Sequence, residues 1–414
     1  MKPAHSVAAM RKLARRRLPR LVFDFVDGGA GRESALTRSE LAFDAVRLLP
    51  RVLAGAEVRS QTIELLGRSY AAPFGIAPIG MANLVAPGVD MALARAAADA
   101  AIPYCLSTAA TTAIEEIARA APASWFQLYV GREQAIVEDL IRRADTAGAP
   151  VLMVTADVPA PGKRLRDLDN GFMLPLEPSL RLAADLFTHP RWALATALGG
   201  APRFANLERY EQPGASAQSL ARLMASQSSA RLDWELLARI RDRWQRRLIL
   251  KGVLHPDDAR RAQRIGADAI VVSNHGGRQL DCAPAPLEVL PQIAAAVGGR
   301  CRILLDGGVR TGEDVARALA LGADAVLLGR PFLFAVAALG PDGARALIAM
   351  LQDEIDRVLA HLGCCSPAEL DQSFVWREPP DAAVPDQPAE LESGAARPCR
   401  ATDAGAQETA ARCG

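Results

Sequence analysis

Eight short apolar runs, each followed by a stretch with helical apolar spacing, limit what this chain can fold into more than any other feature. The runs span residues 74–80, 104–107, 125–130, 151–156, 248–252, 269–273, 302–306 and 325–329. Runs this short and this rich in apolar side chains read as parallel strands buried on both faces. Residues 89–101, 113–120, 133–147 and 256–265, which follow four of the runs, carry apolar residues at helical spacing, the pattern of a helix with one buried stripe. Eight consecutive strand–helix units predict a (β/α)8 TIM barrel. A doubly wound open sheet is the alternative. The even count, and the glycine or polar residue at most strand ends, favour the barrel.

Barrel enzymes place their chemistry at the carboxyl ends of the strands, so those ends form the candidate site. The sixth run leads into Ser273-Asn274-His275-Gly276-Gly277-Arg278-Gln279-Leu280-Asp281. A histidine takes up a proton near neutral pH. Glycines let a ligand approach the backbone, and an arginine grips a carboxylate with two parallel hydrogen bonds. The set describes a site for an anionic substrate that loses a proton; the plainer reading is a capped strand end with a satisfied histidine.

The first run ends in Ala77-Pro78-Ile79-Gly80-Met81 and the second in Ser107-Thr108. The third puts Gln127 and Tyr129 on one face, and the fourth does the same with Thr155 and Asp157, because alternate residues of a strand point the same way. The fifth ends in Lys251. A buried lysine needs a negative partner, either the anionic edge of a cofactor or, as in barrel aldolases, a carbonyl held as a Schiff base. The last two ends read Asp306-Gly307-Gly308-Val309-Arg310 and Gly329-Arg330. Glycines, two arginines and a helix starting near residue 312 make a phosphate site, a frequent feature after strands seven and eight of barrels.

Composition narrows the class. Half of the 414 residues are hydrophobic, and 48 basic residues nearly balance 47 acidic ones, which argues against a nucleic-acid partner. The seven cysteines show no metal-ligand spacing with histidine, so no metal is expected and the thiols read as reduced, in a cytoplasmic setting. The start is basic, with Lys2, Arg11, Lys12, Arg15, Arg16, Arg17 and Arg20 ahead of the first acid, Asp24. It reads as a solvated first helix, with an acidic membrane surface as the alternative. No stretch is apolar for long enough to cross a membrane. One domain is expected over residues 1–375, with an insertion at about 158–232 above the catalytic face. Residues 376–414 lack aromatic side chains apart from Trp376 at the border and are expected to be disordered.

Together these residues resemble the FMN-dependent 2-hydroxy-acid dehydrogenase and oxidase family. The likeness rests on 273–281, the Trp125-Phe126-Gln127-Leu128-Tyr129 block, Thr155-Ala156-Asp157, Lys251-Gly252, and the stretches 306–310 and 327–330. It extends over about residues 7–375 and is nearest to the bacterial membrane-associated mandelate and lactate dehydrogenases of that family. His189-Pro190-Arg191-Trp192 looks mandelate-type, and Pro159-Ala160-Pro161-Gly162 looks lactate-type. The resemblance implies oxidation of an L-2-hydroxy acid to the 2-oxo acid. Electrons would pass from FMN to a quinone-like acceptor or, in oxidase members, to oxygen.

The resemblance also implies roles. His275 would be the base and Asp157 the partner of its imidazolium. Arg164, Arg278 and Tyr129 would bind the substrate. Pro78, Ile79, Gly80, Ser107, Gln127, Thr155, Lys251 and Ser273 would surround the flavin ring. Asp306, Gly307, Gly308, Arg310, Gly329 and Arg330 would hold its phosphate end. A tetramer is expected, with peripheral contact between residues 177–215 and the inner face of the cell membrane. Ala109 stands where glycolate oxidase has a tryptophan-bearing pocket and leaves room for a larger substituent such as phenyl. Gly80 stands where oxidases tend to carry alanine, which points to a dehydrogenase. One departure is plain: the family tyrosine after the N-terminal Asp is Phe25 in Phe23-Asp24-Phe25, which can donate no hydrogen bond.

Overall fold

A computed structural model of the chain describes residues 4–172, 180–200, 202–210 and 231–377. Eight parallel strands form one sheet: β1 Phe74–Ile76, β2 Cys105–Ser107, β3 Trp125–Tyr129, β4 Val151–Thr155, β5 Arg247–Val253, β6 Ala269–Val272, β7 Arg302–Asp306 and β8 Ala325–Leu328. Neighbours run β1-β8-β7-β6-β5-β4-β3-β2. A parallel bridge between Ile76 and Tyr104 joins the two ends and closes the barrel. The open-sheet alternative is thereby set aside.

Alternation along the strands sorts the core into two layers. Ala77, Cys105, Trp125, Val151, Met153, Ile249, Val271, Leu304 and Leu327 pack together inside the barrel. Their sequence neighbours, such as Phe126, Leu152, Leu250, Ile270 and Leu305, pack outward in the larger cluster shared with the helices. A hairpin, Ile63–Leu65 with Arg68–Tyr70, stands before β1. Its Leu65 and Tyr70 join the inner cluster, and the Tyr70 hydroxyl accepts from Trp125 Nε1 at 3.1 Å. That plug fills the amino end and leaves the carboxyl end for the site.

The helices follow in barrel order: Val89–Asp99, Ile114–Ala120, Gln134–Thr146, Trp234–Arg243, Pro256–Ile265, Pro286–Val297, Gly312–Ala320 and Arg330–Leu339. Helix Val7–Arg17 packs against Arg330–Leu339. It buries Val7, Met10 and Ala14, ends in Arg15, Arg16 and Arg17, and leaves Arg11, Lys12, Arg15 and Arg16 exposed. Cations at a helix carboxyl end complement its dipole.

The sequence ran the first strand to residue 80, but β1 stops at Ile76. Ala77 still donates to the Leu328 carbonyl. Beyond it Met81 takes a left-handed φ of 58°, so residues 77–81 leave the ladder for the barrel mouth. In β5 the register shifts between Lys251 and Val253, with Gly252 at φ 101°. A Cβ on Gly252 would stand 2.5 Å from the Cβ of Asp157, so glycine is what lets the fourth and fifth strand ends come together.

The compact unit runs from Met1 to Trp376. The stretch after β4 contains helices Leu165–Asp169, Leu180–Thr188 and Pro190–Gly199 and a short turn at Glu208–Tyr210. Trp192 is buried and donates to the Leu84 carbonyl at 3.1 Å, which docks this segment on the β1 loop. The expected disorder of the tail lies outside the described residues beyond 377, as do Cys399 and Cys413.

Candidate active site

The carboxyl ends of the strands surround a cavity of about 380 Å³. It is lined by Pro78, Ile79, Gly80, Tyr129, Thr155, Arg164, Lys251, His275, Arg278, Asp306, Gly307, Gly308, Arg310, Gly329 and Arg330. Ser107, Gln127, Asp157 and Ser273 lie behind this lining and fix it. Ser107 Oγ donates to Gln127 Oε1 at 2.9 Å, and Gln127 Nε2 donates to Thr155 Oγ1 at 3.0 Å. The amide is thus oriented by its neighbours in a row of buried polar groups. Asn206, from the segment after β4, donates to the Ser107 carbonyl and accepts from the Ile114 amide.

Lys251 Nζ donates to Ser273 Oγ and pairs with Asp306 Oδ2, both at 2.7 Å. Burial disfavours the ammonium, but the Asp306 and Asp157 charges outweigh it and raise the lysine pKa. A Schiff-base lysine must be a neutral amine. The ion pair with Asp306 and the bond to Ser273 engage the amine that an aldolase needs free and neutral, which weighs against the aldolase reading.

The β6 end explains its unusual sequence. His275 takes a left-handed φ of 57°, and Gly276 and Gly277 follow at 63° and 70°. Such a conformation is costly for a side-chain-bearing residue and concentrates at functional sites. A Cβ on Gly276 would stand 2.8 Å from Arg330 Nη1, and one on Gly277 2.5 Å from the Leu36 amide. His275 Nδ1 lies 2.9 Å from Asp157 Oδ1. Burial works against the Asp157 carboxylate, yet the His275 and Lys251 charges hold its pKa below the usual range. An ionised Asp157 accepts from Nδ1–H, which fixes the tautomer and leaves Nε2 as the acceptor. Tyr129 Oη is 3.5 Å from Nε2, too long for a strong bond, and the two atoms are close enough to bond one ligand oxygen together. Burial, then the Asp157 charge, push the Tyr129 phenol up to about 12, so it stays a donor.

Cations dominate the rest of the cavity. Arg278 Nη1 donates to the Phe25 and Gly28 carbonyls at 2.9 and 3.2 Å. Burial, with Arg164 and Arg330 nearby, pushes the Arg278 guanidinium well below its ordinary value. Arginine nonetheless stays protonated in proteins, so the cluster favours an anionic ligand. Arg164 pairs with Asp167 at 2.8 Å. Arg330 donates to the carbonyls of Val26, Gly276 and Gly28. Its guanidinium is engaged by backbone, and what its position offers an anion is the start of helix Arg330–Leu339. Arg310 pairs with Glu40 at 2.7 Å. Gly307 and Gly308, at φ 98° and 92°, form the turn after β7. A Cβ on Gly308 would sit 2.0 Å from the Ser39 carbonyl oxygen.

Several contributors were not singled out from sequence. Asp281 accepts from the amides of Arg32 and Ala35, and Ala30 donates to the Gly277 carbonyl. The segment Asp27-Gly28-Gly29-Ala30-Gly31 is thereby tied to the β6 loop. Its run of glycines was the available signal. Phe172 and Phe204 also line the cavity and come from the long segment after β4, where spacing has no strand or helix period to follow.

A closed barrel with a His–Asp pair at its mouth and an anion cradle after the last two strands defines a phosphate-anchored cofactor enzyme of the TIM-barrel class. The chain belongs to the FMN-dependent dehydrogenase family, whose model matches residues 14–377. It is 40% identical over 374 residues to an (S)-mandelate dehydrogenase of Pseudomonas putida, covering 90% of this chain and 94% of the relative. It is 41% identical over 376 residues to an L-lactate dehydrogenase of Xanthomonas campestris pv. campestris, covering 90% and 97%. Among solved structures it superposes on the monotopic membrane protein (S)-mandelate dehydrogenase with a TM-score of 0.88 at 40% identity, covering 91% of this chain and 100% of that one. A mandelate oxidase follows with a TM-score of 0.75 at 38% identity, over 87% and 95%.

The cavity suits FMN. Asp306 Oδ1 is buried without a hydrogen-bond partner in the structure, and a buried polar group of that kind marks a place for a ligand. Lys251 has a third proton beyond its two acceptors. The glycine turn 307–308 and the start of helix Arg330–Leu339 provide backbone for a phosphate.

Proposed function

We propose that the enzyme oxidises an L-2-hydroxy acid to the 2-oxo acid with His275 as the base. The carrying observation is the His275–Asp157 pair, its Nε2 directed at a cavity that also holds Tyr129, Arg164 and Arg278. The relatives named mandelate and lactate dehydrogenases support the same reading. FMN, when bound, supplies the two-electron acceptor. Ser107, Gln127, Thr155, Lys251, Ser273 and the 78–80 backbone would hold its ring; Gly307, Gly308, Arg310, Gly329 and the Arg330 amide would hold its phosphate end, with Asp306 accepting from a ribityl hydroxyl.

Arg278 and Arg164 hold the substrate carboxylate, which fixes the hydroxyl between Tyr129 and His275. His275 Nε2 takes the proton. Asp157, already ionised, stabilises the imidazolium and keeps the ring from turning. Lys251, held as an ammonium by Asp306, would stabilise negative charge that gathers on the ring. The cavity wall of Phe25, Phe172, Phe204 and Ala109 excludes water and suits an apolar substituent at C2, favouring a mandelate-like over a lactate-like acid.

A quinone-like acceptor fits the dehydrogenase relatives. An oxygen-using reaction is the second reading, supported by the similarity to mandelate oxidase. Turnover with L-mandelate in air, with and without a ubiquinone analogue, separates them. Quinone-dependent formation of the 2-oxo acid without hydrogen peroxide supports the dehydrogenase, and stoichiometric peroxide supports the oxidase. A Cβ on Gly80 would lie 3.0 Å from the Cβ of Ala109, so a methyl fits there after a slight shift. Gly80→Ala is expected to change the ratio of oxygen to quinone turnover severalfold, read by oxygen electrode; an unchanged ratio removes Gly80 from that role.

The helices Leu180–Thr188 and Pro190–Gly199 leave Phe187, Leu194 and Leu198 at 87%, 62% and 81% exposure. Among the described residues, no helix is long and apolar enough to cross a membrane. These helices fit peripheral contact through 177–215, on the cytoplasmic face of the cell membrane. Changing all three residues to serine is expected to move the protein from pellet to supernatant in vesicle co-sedimentation, with flavin reduction retained. Val52, Leu53 and Val58 are also exposed, as a contact between subunits of a tetramer would require.

A further inference from the structure

Phe25 sits among more charge than an apolar residue usually meets. The Cζ atoms of Arg164 and Arg278 lie 5.2 and 5.1 Å from its ring centroid. The ring stacks on Phe172 at 4.6 Å with 22° between planes, and the Phe25 carbonyl accepts from Arg278 Nη1. One residue therefore holds Arg278 by ring and by backbone, and the same ring carries a second guanidinium. Asp167 faces Arg164, while the acceptors of Arg278 are neutral carbonyls. Two like charges this close repel each other, and the negative face of an aromatic ring offsets part of that repulsion. Among the described residues, both hydrogen bonds of Arg278 use Nη1, which leaves Nε and Nη2 for a ligand.

We propose that Phe25 is the positioning residue of a carboxylate clamp: its ring sets Arg164 and Arg278 at a fixed spacing before the ligand arrives. The clamp rests on the hydroxy-acid reading above. It differs from a hydrogen-bonding role for this position, since the phenyl ring gives the substrate no donor and acts through the two cations. The Phe25–Phe172 stack also joins the clamp to the segment after β4, so the arginine spacing depends on that segment being docked.

The test uses the FMN-loaded enzyme and the variants Phe25→Leu and Phe25→Tyr. Leucine keeps apolar volume without the ring, and tyrosine keeps the ring. Two contacts of this type are worth roughly tenfold in affinity. Phe25→Leu is expected to raise KM for L-mandelate and the calorimetric Kd of oxalate by about that factor. The affinity for methyl mandelate, which carries no carboxylate, should fall by a clearly smaller factor, the part due to the place of Phe25 in the cavity wall. Phe25→Tyr should match wild type for oxalate. An unchanged oxalate Kd in Phe25→Leu overturns the proposal. So does a loss of ester affinity equal to that of the acid, which would mean packing alone. Phe25→Met replaces the leucine variant if that one fails to retain FMN. A wild-type enzyme inert to every L-acid would sink the hydroxy-acid reading, while the oxalate measurement would still decide the clamp.

Discussion

His275→Ala will retain FMN but be reduced by an L-2-hydroxy acid about 10²–10⁴ times more slowly, the usual contribution of a general base. The histidine imidazole pairs with Asp157 at 2.9 Å and takes no part in the hydrogen bonds of the row Ser107–Gln127–Thr155 that would hold the ring. Its loss should therefore leave the flavin spectrum unchanged. Single-turnover anaerobic stopped flow separates reduction from reoxidation. Reduction at the wild-type rate would remove His275 from the chemistry. Asp157→Asn should give a smaller loss, because the imidazole stays in place while its imidazolium loses a counter-charge.

Lys251→Met should be the most damaging single change to the folded state. The ammonium is 5% exposed and pairs with Asp306 at 2.7 Å, and Asp157 adds to its charged form. Removing one partner of a buried pair typically costs about 3–5 kcal/mol. FMN content should fall with it. The sign of the pH dependence follows from linkage. The raised Lys251 pKa means that its contribution is fully present below the unfolded value of about 10.4 and is lost as pH rises through the folded one. In the variant, the stranded carboxylates must take up protons to remain buried, so its deficit should be larger at pH 8 than at pH 5. Thermal melts at both values check this. Equal deficits would mean that the lysine matters only by volume.

The fold was legible because each strand is a short apolar run whose end is polar or glycine, and run length together with the helical spacing of the stretches between separates strands from helices. The strand ends were legible for the same reason, since Gln127 with Tyr129 and Thr155 with Asp157 need only strand alternation to share a face. What was not legible is non-local. Arg330 read as charge for a phosphate, but three carbonyls from residues 26, 28 and 276 converge on its guanidinium, and no local pattern announces convergence. Phe25 looked like a missing hydrogen bond, and only the folded chain shows two guanidiniums at its ring. Asp281 closed the motif at 273–281 without an evident role until it met the amides of residues 32 and 35.

The most direct measurement is an anaerobic visible spectrum of the purified protein, before and after L-mandelate, with L-lactate and both D-acids in parallel. The expected result is a flavin band that an L-acid bleaches and neither D-acid does, with mandelate faster than lactate because the cavity wall is aromatic and Ala109 is small. A flavin-loaded protein that no L-acid bleaches, or that D-acids bleach equally well, would contradict it.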